Sequence, residues 1–313
     1  MMPFVGHTQP VRCVAFTPDG GTLVSGGDDG NIIVWDRDAG RPRFTLSTGM
    51  PSVPSVACHP DGERLLSGFR NQPARTPMPD RLRFWSVVTG FPAAVGGRRG
   101  GLPDLVVERC DAIRDLQFLP DGRSLAYVQP QHEENRYPYG RLVLVPLEER
   151  PEPVESWLTR RAAVTALALS ADGLTAAVAS SQYVRFGQLD AAKVPPGYAA
   201  RGAVQSLSLS PDGSRLAGTW ANCVTVWEMA GGREVQDFAG HAAAVEAVAY
   251  KPDGSLIASA GLDGRVLLWE PDGGVARAAY DWGLGPVHAL AFSPDCLTLA
   301  VAGEGGLVLI DLE

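Results

Sequence analysis

Val11-Arg12-Cys13-Val14-Ala15-Phe16-Thr17-Pro18-Asp19-Gly20-Gly21-Thr22-Leu23-Val24-Ser25 is two apolar runs hinged at a proline–aspartate–glycine corner. The phrase returns six more times. The later corners are Pro60-Asp61-Gly62, Pro120-Asp121-Gly122, Ala171-Asp172-Gly173, Pro211-Asp212-Gly213, Pro252-Asp253-Gly254 and Pro294-Asp295-Cys296. Their aspartates lie 42, 60, 51, 40, 41 and 42 residues apart. Three residues before each aspartate stand Phe16, Cys58, Phe118, Leu169, Leu209, Tyr250 and Phe292; four before it stand the mostly small Ala15, Ala57, Gln117, Ala168, Ser208, Ala249 and Ala291. Period-2 alternation therefore gives these strands one bulky and one small face, as stacked sheets require.

A strand-patterned repeat near 40 to 45 residues predicts a propeller of four-stranded blades. The fold class expected is all-β: a seven-bladed β-propeller of antiparallel blades that fills residues 1–313 as a single domain. In blade one, Asp28-Asp29-Gly30-Asn31 makes the second tight turn, Ile32-Ile33-Val34-Trp35 the third strand and residues 41–46 the outer strand. The third strands end at Trp35, Trp85, Val145, Phe186, Trp227, Trp269 and Ile310.

Composition narrows function. A net charge of −8 argues against nucleic acid and acidic membranes as partners. Five scattered cysteines without a CxxC pair argue against zinc and a disulfide framework. No apolar run approaches the ~20 residues of a membrane helix, and no secretory signal opens the chain. There is no P-loop, no GxGxxG after a strand and no HExxH. No metal and no cofactor are expected, and a cytoplasmic location is.

Trp35-Asp36, Trp227-Glu228, Trp269-Glu270, Gly6-His7 and Gly240-His241 make the chain resemble WD40-repeat proteins along essentially its whole length. His7, Ser25, Asp29 and Trp35 recur as His241, Ser259, Asp263 and Trp269 with identical intervals of 18, 4 and 6. The resemblance implies that each set is a buried structural hydrogen-bond relay. The remaining blades lack the Gly-His, and apolar packing alone is expected to hold them. The resemblance also implies that Pro3-Phe4-Val5 closes the ring as the outer strand of blade seven. The ring is expected to be monomeric; its N-terminal closing segment is about two residues shorter than residues 233–238 before Gly240-His241, so either the closing strand is stubby or the chain starts upstream of Met1.

Two surfaces are candidates for binding. Blades two and three carry insertions between their second and third strands, at residues 69–80 and 129–139. A third insertion follows Trp85 and contains Gly96-Gly97-Arg98-Arg99-Gly100-Gly101. Aligning Thr89-Gly90 with Ala39-Gly40 puts the outer strand of blade two at residues 91–95, so that all three insertions share one rim; placing it at residues 105–107 sends the third to the opposite rim. Residues 63–114 hold nine arginines against five acids, a net of +4 that leaves −12 on the rest. Arg70, Arg75, Arg98, Arg99, Tyr137 and Tyr139 are the candidate contacts for an acidic protein or peptide. The second surface is the mouth of the channel, where the residue seven before the corner varies freely: Arg12, Arg114, Gln205, Glu246 and His288.

The sequence thus favours a non-enzymatic protein-interaction scaffold. The alternatives are the sensory or docking propeller of a larger, kinase-linked signalling protein and, behind it, a hydrolase or small-ligand sensor using the central channel. The His–Ser–Asp sets invite the hydrolase reading, but no nucleophile elbow or oxyanion loop accompanies them.

Overall fold

The computed structural model describes residues 2–68, 80–90, 105–107, 113, 115–132, 138–147, 154–159, 163–181, 183–189 and 195–312. These form seven antiparallel sheets of four strands each, the blade set of the seven-bladed β-propeller that the repeat predicts. The chain divides into two compact units, Gly6–Val164 and Met1–Val5 with Thr165–Glu313.

In the first unit, blade one is Val11–Phe16, Thr22–Gly27, Asn31–Asp36 and Arg41–Ser47. Blade two is Val56–Cys58, Arg64–Ser67, Asp80–Ser86 and Leu105–Val107. Its outer strand pairs Asp80 with Val107 and Leu82 with Leu105, which corrects the expectation of residues 91–95; those residues lie outside the described ones. In chain order Arg98 and Arg99 therefore fall between the third and outer strands, and Arg70 and Arg75 before the third; all four lie outside the described residues. Blade three is Asp115–Phe118, Ser124–His132, Pro138–Pro146 and Val154–Thr159. Its middle strands run on as a nine-residue hairpin, from Ser124↔Pro146 to His132↔Pro138. Much of the expected insertion at 129–139 is thus ordinary ladder.

The second unit holds blades four to seven. Blade four is Val164–Leu169, Thr175–Ser180, Tyr183–Gln188 and Gly197–Ala199; blade five is Leu207–Leu209, Arg215–Trp220, Cys223–Glu228 and Glu234–Ala239. Blade six is Val245–Tyr250, Ile257–Gly261, Arg265–Trp269 and Ala276–Asp281. Blade seven takes Val287–Phe292, Thr298–Gly303 and Gly306–Asp311 from the C-terminal end and Met2–Phe4 from the other. Met2 faces Leu309, Pro3 faces Val308 and Phe4 faces Leu307. That pairing covers the edge of the last blade with three residues, and Phe4 is buried.

Blades stack with a direction. The small face of one blade receives the bulky face of the next: Ala57 lies with Leu116 and Phe118, Ala166 and Ala168 with Leu207 and Leu209, and Ala217 with Val248 and Tyr250. Ala249, Ala258 and Ala260 likewise receive Leu290, Phe292 and Val301. Two flat alanine faces would leave a void, and two bulky faces would force the sheets apart.

Every corner is built the same way. The aspartate Oδ1 accepts the backbone N–H two residues on, from Gly21, Glu63, Arg123, Leu174, Ser214, Ser255 and Leu297, at 2.8 to 3.1 Å. This is the side-chain-closed turn that aspartate favours. The third corner residue sits at positive φ, 65° to 75° for the six glycines and 62° for Cys296.

Candidate functional site

The residues of blade one that the sequence singles out meet in a single chain of hydrogen bonds. Trp35 Nε1 donates to Ser25 Oγ at 2.8 Å, Ser25 Oγ lies 2.8 Å from His7 Nε2, and His7 Nδ1 lies 3.0 Å from both carboxylate oxygens of Asp29. With a proton on Nδ1, each donor serves one acceptor and nothing is orphaned. Asp29 also accepts the backbone N–H groups of Thr8 and Asn31 at 3.0 and 3.1 Å, which ties the blade's entry segment to its second turn. Burial works against its charge, but those amides together with His7 hold its carboxyl below the usual carboxylate range.

Blade six repeats the set. Trp269 donates to Ser259 at 2.8 Å, Ser259 lies 2.9 Å from His241, and His241 lies 3.0 Å from Asp263. Ala242 and Arg265 supply the two amides. Ser25 and Ser259 are both fully buried, at 0% exposure.

Blade two departs from the expectation of apolar packing alone. Trp85 Nε1 donates to Ser67 Oγ at 3.1 Å without a histidine. The sequence hides this half-relay because the insertion stretches the Ser–Trp interval from 10 to 18 residues. His59, also unflagged by the sequence, is buried at the blade-two corner. It lies 2.8 Å from the Gly122 carbonyl of the blade-three corner and edge-on to the Phe118 ring at 4.9 Å. Four corners place a hydroxyl where blade two has His59. Thr17, Ser170, Ser210 and Ser293 each donate to their corner aspartate at 2.5 Å and accept an amide N–H at 2.9 to 3.1 Å. Ser or Thr two residues before the aspartate was the legible signal.

The channel-mouth candidates do not share one setting. The first strands of blades one, six and seven slip register by one residue at Val11/Cys13, Val245/Ala247 and Val287/Ala289. Arg12, Glu246 and His288 occupy these bulges, which re-aim a side chain without breaking the strand. Arg12 Nε donates to Asp28 at 2.6 Å, and Asp28 also accepts from Ser52. Gln205 is exposed, and its backbone N–H donates to Thr219. Arg114 lies outside the described residues, as do Arg70, Arg75, Arg98, Arg99 and Tyr137. Tyr139 is placed by its backbone alone, opposite Gln131.

The sequence reading missed a groove in the second unit. The corners of blades five and six and the turn after Trp269 enclose about 620 Å³. Asp212, Asp253, Glu270 and Asp272 line it, with Arg215 and Tyr250 between the two corners. Arg215 reaches from blade five to Asp272 of blade six at 2.7 Å, and Lys251 pairs with Asp253 at 2.8 Å. Bonds from Ser210 and Ser214 hold Asp212 down at about 2; those from Lys251 and Ser255 do the same for Asp253. Tyr250 is 8% exposed, its ring sits in the apolar cluster between blades five and six, and its hydroxyl has no hydrogen-bond partner. Among the described residues no cluster of three or more His, Cys, Asp or Glu could hold a metal ion, and no helix is long and apolar enough to cross a membrane.

The family model for the WD domain, G-beta repeat, matches residues 1–36, 194–228 and 232–270. Those stretches contain all of relay one, the strands of blade five and all of relay two, in a chain of seven four-stranded blades. Those three stretches are WD40 repeats. It is 26% identical over 269 residues to the WD repeat-containing protein WDS homolog of Arabidopsis thaliana, covering 82% of this chain and 46% of that protein. It is 27% identical over 275 residues to WD repeat-containing protein 1-B of Xenopus laevis, covering 82% and 39%. A 95-residue stretch is 28% identical to the APC/C activator protein CDC20 of Saccharomyces cerevisiae, covering 30% and 14%. This WD40-repeat chain thus spans less than half the length of each of these relatives.

Proposed function

We propose that this WD40-repeat chain is a non-enzymatic scaffold that holds a protein or peptide on the loops and corners of its blades. The observation that carries the reading is the burial of Ser25 and Ser259. Each stands in a Ser–His–Asp order that resembles a hydrolase triad. Each is closed off from solvent, however, and its oxygen already accepts a tryptophan N–H. A nucleophile must reach a substrate carbonyl, and an oxyanion needs free donors beside it. Here the amides near Asp29 and Asp263 are taken by the aspartates themselves. The polar chemistry holds the blades together, leaving recognition to surfaces carried by a rigid frame.

The test has two arms. Hydrolysis of p-nitrophenyl acetate by the intact chain should equal that of Ser25→Ala and Ser259→Ala, at the background rate. Cross-linking in a native lysate should join the intact chain to a reproducible protein through blade loops. A hydrolysis rate that disappears with the serines would make the relays catalytic and overturn the reading.

A further inference from the structure

We propose that the groove between the corners of blades five and six binds a lysine- or arginine-bearing segment of a partner protein, with the Tyr250 hydroxyl as the acceptor at its floor. This rests on the scaffold reading and names the chemistry of one surface.

Three observations converge. The first is the hydroxyl. Buried polar groups in native proteins have partners, so a buried hydroxyl that lacks one, on a side chain that lines a cavity, marks a place for a ligand donor. Burial pushes this phenol up to about 12, against the pull of Arg215, so it stays neutral and can accept from a cation. The second is charge. Four carboxylates line the groove, and the nearby cations Arg215 and Lys251 are already engaged by Asp272 and Asp253. Glu270 is 62% exposed with Arg277 only at 4.0 Å, so it can turn to an incoming ammonium or guanidinium, while Asp272, 84% exposed and held by Arg215, adds to the acidic rim. The third is size. A volume of about 620 Å³ falls in the range of ligand sites, roughly 300–1,000 Å³. It exceeds what a single ion would fill, and the carboxylates do not form a metal cluster. Pro211 and Pro271 give the walls an apolar surface for the methylene stem of a long basic side chain.

The experiment selects random dodecapeptides displayed on bacteria against the intact chain, then measures binding of the enriched peptides by fluorescence anisotropy. Enriched peptides should carry a lysine or arginine whose replacement by norleucine abolishes binding. Tyr250→Phe, which removes only the hydroxyl, should weaken binding about tenfold with no loss of melting temperature. Glu270→Gln/Asp272→Asn should weaken it further, and binding should fall with added salt. Peptides without an essential basic residue, or binding unchanged in both variants, would overturn the groove while leaving the scaffold reading in place. Self-association of the chain that is lost in Glu270→Gln/Asp272→Asn would also overturn it, since the occupant would then be a second copy. Hydrolysis that depends on Ser25 or Ser259 would instead remove the scaffold reading itself.

Discussion

Trp85 donates its indole N–H to Ser67 at 3.1 Å in a blade that has no relay histidine. The serine–tryptophan bond is therefore the part of the relay that survives alone. In blades one and six it is extended outward by His7 with Asp29 and His241 with Asp263. A buried indole N–H requires an acceptor; the histidine and aspartate add a link to the turn and the entry segment.

The three serines should consequently differ in worth. Ser25→Ala orphans Trp35 Nε1 and His7 Nε2 together and should cost about 2–4 kcal/mol, whereas Ser67→Ala orphans only Trp85 and should cost about 1–2 kcal/mol. Urea unfolding of the two variants beside wild type checks the order; equal losses would mean that the histidine adds nothing.

A corner and a second turn make opposite predictions for glycine. Cys296 occupies the left-handed region at φ 62°, where the six other corners have glycine. Cys296→Gly should raise stability by roughly 1 kcal/mol, the cost of placing a Cβ there. Gly30, at φ 71°, has the Met50 carbonyl oxygen where a Cβ would stand. Gly30→Ala should lower the melting temperature markedly, because the added Cβ has no torsion by which to move and the atom it meets is a backbone carbonyl. Thermal melts of the two variants decide.

Acid should act through the corners. Asp212 and Asp253 titrate at about 2 in the folded chain, below the usual ~3.9 of the unfolded one. A depressed carboxyl contributes stability that is complete above the unfolded value and is lost as pH falls through the folded one. Melting temperature should therefore fall between about pH 4 and pH 2. In Asp212→Asn/Asp253→Asn that slope should be shallower. A variant with the wild-type slope would assign acid sensitivity to other groups.

The arginine-rich insertions should separate. Arg70 and Arg75 precede the third strand of blade two, and Arg98 and Arg99 follow it, because the outer strand is Leu105–Val107. An acidic partner captured by one pair should be insensitive to neutralising the other. Arg70→Ala/Arg75→Ala and Arg98→Ala/Arg99→Ala are compared by pull-down with unchanged melting temperatures as control. Equal losses from both would mean one shared surface.

Blade number, corner chemistry and the two full relays follow from the chain order itself. They are set by contacts at fixed short spacing: Asp19 with the amide of Gly21, or His7, Ser25, Asp29 and Trp35 inside one repeat. Such geometry recurs whenever the spacing recurs, so reading along the chain suffices. The outer strand of blade two, the half-relay of Ser67 and Trp85, and the bulges at Arg12, Glu246 and His288 needed the fold, because an insertion or a one-residue slip changes the partner without changing the pattern. The groove needed it most. Arg215 and Asp272 are 57 residues apart, and Tyr250, whose hydroxyl is unpaired, comes to lie beside carboxylates from two different blades. Local periodicity specifies each blade; what gathers between neighbouring blades depends on side chains that never meet along the chain and are brought together by packing alone.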